Sequence, residues 1–405
     1  MLDNGKAEGV RKIKRFEKYC LKDIATVSQG FTFSRLYQGK KNLKWNYFKV
    51  ADIGLNPNSK YLTNAINTIN DITMEEIGAL PFPKGSIVFP RVGAALFNNN
   101  KKILAQDGVV DDNVLVLTVT NTSKCWHEFL YYYLQGIPLA KWCNSGLVPV
   151  INTKTVLSQM VFLPPLPEQQ KIAAILSTQD KVIELKEKLL AQKQQQKKYL
   201  MQQLLTGKKR LPGFCEKWTR KQLGELFENR VEINRSDLGL LAITSTRGIL
   251  PRDCLDLKDN SSEDKSKYLR ICPGDIGYNT MRMWQGVSAY SEYEGIVSPA
   301  YTILAPMEGV YSHYFAYLFK TQSVIFSFYR FSQGLVDDTR NLKYENLKKI
   351  GVSIPSNVAE QRAIVQILST ADHEIDLLQK SIEAEKQKKK ALMQLLLTGK
   401  VSVRI

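Results

Sequence analysis

A 41-residue stretch recurs in related form in this chain, and that duplication constrains its fold more than any other feature. Residues 168–208 read EQQKIAAILSTQDKVIELKEKLLAQKQQQKKYLMQQLLTGK and residues 360–400 read EQRAIVQILSTADHEIDLLQKSIEAEKQKKKALMQLLLTGK. They align without a gap at an offset of 192 residues, and 22 of the 41 positions are identical. The period is far too long for a solenoid, so the repeating unit is a domain followed by a helix. Both copies lack proline, and glycine occurs only at Gly207 and Gly399, where it suits a helix stop. Leu, Lys, Gln, Glu and Ala dominate, all good helix formers. Ile172, Ile175, Leu176, Ile183 and Leu190 recur at spacings of three, four and seven, as do Ile364, Ile367, Leu368, Ile375, Leu378 and Ile382. This is one apolar stripe per helix, suited to helix–helix packing. Leu204 and Leu396 lie in the Leu/Met runs that close the two copies. A helix of ~40 residues is about 60 Å long at 1.5 Å per residue. The Lys/Gln stretches at mid-helix read as a solvated face, with phosphate contact as the alternative.

The stretches before the helices also correspond, more weakly. Residues 82–87 (FPKGSI) match 271–276 (ICPGDI), residues 126–129 (WHEF) match 312–315 (SHYF), and residues 145–148 (SGLV) match 333–336 (QGLV). Each half enters its helix through proline, at 164, 165 and 167 in one copy and at 355 in the other. Residues 87–89, 113–120 and 301–304 are rich in β-branched residues and predict strands, whereas 128–134 and 314–319 predict short aromatic helices. The fold class expected is therefore α+β, with two mixed α/β domains, each followed by a long helix. The boundaries read as 1–165, 166–208, 209–357 and 358–405.

The chain has 405 residues, enough for two or three domains, and its 44% apolar content is ordinary for a globular protein. No run approaches 18 apolar residues, which excludes a spanning helix, and the N-terminus has no apolar signal core. Six scattered cysteines without a C-x-x-C pair read as reduced thiols, consistent with a cytoplasmic location. Three distant histidines argue against a clustered metal site. The net charge of +17 favours a polyanionic partner, because neutralising phosphates releases counterions. That charge is uneven: residues 1–211 hold 30 basic and 16 acidic side chains, and residues 212–405 hold 26 and 23. Lys6, Arg11, Lys12, Lys14, Arg15 and Lys18 form a basic tail, either a solubilising extension or a phosphate contact.

No phosphate-binding G-x-x-x-x-G-K-[ST], no G-x-G-x-x-G, no Asn/Asp-Pro-Pro-aromatic motif of an adenine methyltransferase and no G-x-S-x-G elbow occurs. No catalytic residue and no metal ligand is therefore assigned.

Several motifs resemble the specificity subunit of type I restriction–modification systems. They are the PPLPEQQKIA entry at 164–173, the LLTGK ends at 204–208 and 396–400, and the LPGF junction at 211–214. Residues 274–282 (GDIGYNTMR) and 295–301 (GIVSPAY) add to them. The resemblance covers essentially the whole chain in the expected order. It implies two target-recognition domains, two long helices packed antiparallel as a coiled-coil-like spacer, and an internal pseudo-two-fold. It also implies that each domain reads one half of a split, asymmetric DNA sequence. The expected partners are double-stranded DNA, two modification subunits and the restriction subunits. S-adenosylmethionine, ATP and Mg would act in those partners, with no cofactor in this chain. The apolar stripe (Ile172, Ile175, Leu176, Ile183, Leu204, Ile364, Ile367, Leu368, Ile375 and Leu396) is the expected dock for helix packing and partners.

Base readout needs donors and acceptors on loops, and positioning needs Lys and Arg at phosphates. Ser34, Arg35, Lys44, Arg91, Lys101 and Lys102 are the candidates in the first domain. Thr246, Arg247, Asn279, Arg282, Gln285 and Arg340 are those in the second. Residues 278–286 (YNTMRMWQG) form the best single cluster, mixing base-reading side chains with aromatics. Two other readings compete. A self-contained nuclease or methyltransferase would need a catalytic domain, for which no stretch is left. A protein-only coiled-coil scaffold would leave two mixed domains and the positive charge unexplained.

Overall fold

The computed structural model describes residues 16–55, 59–144, 146, 148–244, 248–254 and 264–403. Its contacts divide the chain into two units, residues 1–189 with 378–405 and residues 190–377. They cut across the four linear segments read from sequence. Each unit takes the first part of one long helix and the last part of the other.

The first unit is built on a five-stranded sheet in the order Ala25–Gln29, Val114–Val119, Ile87–Pro90, Lys102–Leu104, Tyr61–Leu62. Its three central members are antiparallel neighbours, and Val114–Leu117 and Ile87–Pro90 are buried throughout. Such continuous apolar runs suit strands covered on both faces. One face carries the helix His127–Gln135, whose Phe129, Leu130, Tyr132 and Leu134 are buried. A smaller sheet of Asn67–Ile69, Trp45–Phe48 and Val109–Val110 adds an apolar cluster of its own.

The second unit repeats this plan. Its four-stranded sheet runs Phe227–Asn229, Tyr301–Pro306, Ile276–Asn279, Ser288–Tyr290. Each of these strands stands where the first unit has its counterpart. Before the central strand of each unit the chain turns at a glycine of positive φ, Gly85 (88°) and Gly274 (96°). That backbone region strains any other L-residue, which explains the glycine shared by the two copies. The helix Ser312–Leu318 answers His127–Gln135, and a second helix, Gln322–Phe331, follows it without a sequence-based expectation.

The strands expected at 87–89, 113–120 and 301–304 are present, as are both aromatic helices. The basic tail ends sooner than expected. Glu17–Cys20, which includes Lys18, is a strand paired antiparallel with Met160–Leu163. The rest of the tail lies outside the described residues. Thr219–Gln222 pairs with Gly351–Ile354 in the same way in the second unit.

The long helices are Leu166–Leu204 and Val358–Leu396. Within the first unit they pack antiparallel. Asp180 pairs with Lys389 at 2.5 Å, Lys186 with Glu385 at 2.8 Å, and Glu187 with Lys386 at 2.8 Å. Within the second unit Lys193 meets Glu374 at 2.7 Å and Lys197 meets Asp372. Several such pairs form a ladder that fixes register more than it adds stability, because exposed ion pairs contribute about 1 kcal/mol or less each.

Each domain is tied to its helix at repeat-equivalent residues of that helix. Tyr132 donates to Asp180 at 2.6 Å, and Tyr317 donates to Asp372 at 2.8 Å. Gln169 and Gln361, both buried, donate to the carbonyls of Pro164 (2.8 Å) and Pro355 (2.9 Å). Glu168, also buried, accepts the Val403 N–H, while buried Glu360 takes a bidentate Arg210 at 2.6 and 2.7 Å. The Glu-Gln pair opening each repeat is therefore a structural clamp: buried polar groups need such partners.

Candidate functional site

The apolar stripe is consumed inside the units. Ile172 and Leu176 lie in the core of the first unit together with Leu396, and Ile175 packs against it. Leu204, Ile364 and Leu368 lie in the core of the second, with Ile367 packed against it. Ile183 is buried and Ile375 half-buried. Most of these stripe residues are packed within their own units. What the helices leave exposed is a different apolar set: Leu185, Leu189 and Leu395 in the first unit, Tyr199 and Leu377 in the second.

Candidate side chains of the first unit separate into surface and interior. Ser34 accepts the Leu36 N–H and caps the short turn Arg35–Tyr37, leaving Arg35 exposed with no ion-pair partner among the described residues. Lys44 pairs with Asp71 at 2.9 Å and lies 5.0 Å from the Trp45 ring centroid. With the Trp45 N–H at 2.7 Å, the Lys44 ammonium holds the Asp71 carboxyl below its ordinary range. Lys40 stands over Tyr37 and Lys49 over Phe33, so cations and aromatics alternate along residues 33–49. Arg91 is half-buried and donates to the Asp112 carbonyl at 3.4 Å.

Lys101 and Lys102 are not surface cations. Each is 2% exposed. Lys101 donates to Asn99 Oδ1 (2.6 Å) and the Ile137 carbonyl (2.9 Å), and Lys102 donates to the Ser59 carbonyl. Adjacency to the Asn run at 98–100 suggested a loop, but Lys102 opens a central strand and Lys101 follows the same wall inward. Desolvation lowers Lys101 to about 7 and Lys102 to about 8. The Lys101 folded-state value lies below its ordinary 10.5. Between those values the unfolded chain holds the proton and the folded chain does not, so stability rises with pH across that window and is least below it. Lys101→Met is expected to reduce this rise while leaving duplex affinity unchanged. Urea melts at about pH 6.5 and about pH 9.5 check the first part, and filter binding to duplex DNA checks the second. Weakened DNA binding by a normally folded variant would restore Lys101 as a contact.

In the second unit Thr246 and Arg247 lie outside the described residues. The other four candidates come together. Asn279 ends a central strand and its side chain accepts the Met281 N–H, shaping the turn that exposes Arg282 and Gln285. Trp284 meets the Tyr329 ring at 6.2 Å, and the Arg340 guanidinium lies 4.1 Å from the same ring and donates to its hydroxyl at 2.9 Å. Arg340 also pairs with Asp337 at 3.0 Å. This patch joins the turn 279–286, the end of the helix Gln322–Phe331 and the loop 333–341. It holds amide and guanidinium donors beside aromatic faces, the set that reads base edges and grips phosphates. Sequence reasoning missed Tyr329 and Arg330. The amphipathic run at 322–331, with four aromatics and an arginine, was the available signal.

Among the described residues no group of His, Cys, Asp and Glu could hold a metal ion, and no helix is long and apolar enough to cross a membrane. The six cysteines are free. His127 is the first residue of one of the two equivalent helices and His313 the second residue of the other, and burial lowers both below their ordinary value. His313 is stacked between Tyr290 and Tyr317, so it serves packing.

A family model described as type I restriction modification DNA specificity domain matches residues 13–195 and 265–386. Among solved structures, the type I restriction-modification S subunit from M. genitalium is 15% identical. It matches with a TM-score of 0.60 over 96% of this chain and 97% of that chain. A chain from work on complex assembly and conformational transition of the type I R-M system is 14% identical. Its TM-score is 0.54, over 95% of this chain and 97% of its own. At such identities these likenesses show the fold.

Proposed function

Since this chain belongs to the type I restriction modification DNA specificity family, we propose that it is the non-catalytic, sequence-reading subunit of a cytoplasmic restriction–modification complex. Each unit reads one half of a bipartite, asymmetric target. Two modification subunits methylate adenine using S-adenosylmethionine, and restriction subunits use ATP and Mg to translocate and cut. The observation that carries this reading is the repeated plan with divergent surfaces. The two units share sheet order, glycine turn and helix clamp. They differ in their surface side chains: exposed Lys40 and Lys44 with half-buried Trp45 in one, exposed Arg282 and Gln285 with half-buried Trp284 and Arg340 in the other. Equivalent scaffolds with different reading surfaces suit a target whose halves differ. The exposed Leu185, Leu189, Tyr199, Leu377 and Leu395 on the long helices are the partner-facing set, since the buried stripe is already packed.

Selection from a random duplex library, with the chain alone and with a modification subunit from the same cell, tests this. The expected outcome is enrichment of one split sequence, with methylation only when the modification subunit is present. Adenine methylation by the chain alone would overturn the non-catalytic assignment, and enrichment of an undivided site would overturn the bipartite one.

A further inference from the structure

The loop 333–341 presents its apolar residues to water. Leu335 is 98% exposed and Val336 59% exposed, and Phe331 just before them is exposed as well. An unconstrained loop would fold such side chains back, but this one is braced. Gln333 and Asn341 exchange two backbone hydrogen bonds at 2.8 Å and close its base. Gly334 sits at φ +129°, where a Cβ would stand 2.6 Å from the Thr339 carbonyl oxygen. Thr339 donates to the Val336 carbonyl at 3.0 Å, and Arg340 is pinned on Tyr329. The tip is therefore held out by its own frame, and a contiguous exposed apolar feature of this kind marks an interaction site.

Its surroundings indicate the occupant. Arg282 and Arg330 are exposed and have no ion-pair partner among the described residues, Gln285 is exposed beside them, and Arg340 flanks the loop. An apolar tip in a patch that also carries guanidinium groups does not suit an apolar protein groove. It suits a polyanion with stackable, unwettable faces inside, which is the make-up of a DNA duplex. The feature also recurs. Gly146-Leu147-Val148 repeats Gly334-Leu335-Val336, and Val148 is 56% exposed near the bridge between Cys143 and Ile151. Leu147 lies outside the described residues.

We propose that the Leu335–Val336 tip enters the half-site read by the second unit as an apolar wedge, partly unstacking one base step while the flanking arginines hold the phosphates. This rests on the DNA-reading role proposed above. Leucine is among the side chains that wedge between base steps, where unstacking is offset by the larger contact a bent duplex allows. The wedge needs no chemistry from this chain.

The test uses the full chain assembled with its modification subunit and the duplex enriched from the random library, with 2-aminopurine placed at each step of the half-site in turn. The wild-type complex is expected to raise fluorescence at one step. Leu335→Ser is expected to abolish that rise and weaken binding to the enriched duplex at least about tenfold, a loss of ~1.4 kcal/mol. Affinity for random duplex should be unchanged, and Leu335→Met should keep the signal. Because Leu335 is almost fully exposed, the serine variant is not expected to disturb folding, and an unchanged melting curve verifies this. Three results would overturn the wedge: an unaltered Leu335→Ser variant, no fluorescent step with the wild type, or normal DNA affinity with lost subunit assembly. The last would make the tip a protein dock. If the wild-type complex enriches no sequence at all, the DNA-reading role itself fails, and the wedge with it.

Discussion

Leu368→Asp is expected to unfold the second unit while the first keeps its fold. Leu368 is fully buried among Leu204, Ile364 and the aromatic core of that unit. Truncating a buried leucine costs about 2–5 kcal/mol. An unpaired buried carboxylate adds several kcal/mol more or forces its own protonation. A domain holds only about 5–15 kcal/mol in all, so this one change consumes most of the margin. Leu176→Asp should do the same to the first unit, where Leu176 is equally buried. Leu185→Asp is the informative contrast. It lies on the same long helix as Leu176 but is exposed, so both units should stay folded while assembly with the modification subunit weakens. Limited proteolysis with mass spectrometry separates the cases: new cleavages confined to 190–377 for Leu368→Asp, and none for Leu185→Asp. A native melt from Leu368→Asp would contradict the packing described, and unimpaired assembly of Leu185→Asp would remove that residue from the partner surface.

The duplication and the helices were legible because both are one-dimensional signals. A 22-in-41 identity needs no folding to be seen, and a stripe at spacings of three and four needs only helical geometry. What the stripe faces was not legible, since a periodic apolar face says only that something covers it. Ile172 and Leu368 are covered by their own units, so the apolar side chains left exposed, and proposed here to face a partner, are others such as Leu185 and Tyr199, which lie off the periodic stripe. The Lys101–Lys102 misplacement has a similar origin. Lysine next to asparagines reads as surface, yet a lysine whose ammonium finds carbonyl acceptors can lie inside a wall. The residues 279–285 patch was legible because a strand end, a turn and base-reading side chains coincide within seven positions. Tyr329 and Arg340 reach it only through tertiary packing, so Arg340 was found by residue type and Tyr329 was not found at all. The wedge residues were visible as a repeated Gly-Leu-Val, but exposure of a leucine is a property of the folded loop.

A matched insertion of four helix-forming residues after Gln195 and four after His373 is expected to lengthen the preferred gap between half-sites by about one or two base pairs, following the rises of the two helices. Each long helix runs from residues of one unit into residues of the other, so on the proposed reading it sets their separation. Inserting into one helix alone would displace Lys197 from Asp372 while Lys193 kept Glu374. The second insertion, between those two acidic residues, restores the ladder. Four residues add ~6 Å at 1.5 Å each, against ~3.4 Å per base pair, so translation alone favours nearly two pairs. Rotation favours fewer. Four residues turn an α-helix by ~400°, leaving ~40° beyond a full turn, and one base pair turns a duplex by ~35° in the same hand. For helices aligned with the duplex, the one-pair gap satisfies rotation and the two-pair gap satisfies distance, so the outcome reports which restraint is stiffer. A methylome of cells carrying the variant reads the gap directly. An unchanged gap with methylation retained would show that the modification subunits, and not these helices, hold the half-sites at their distance.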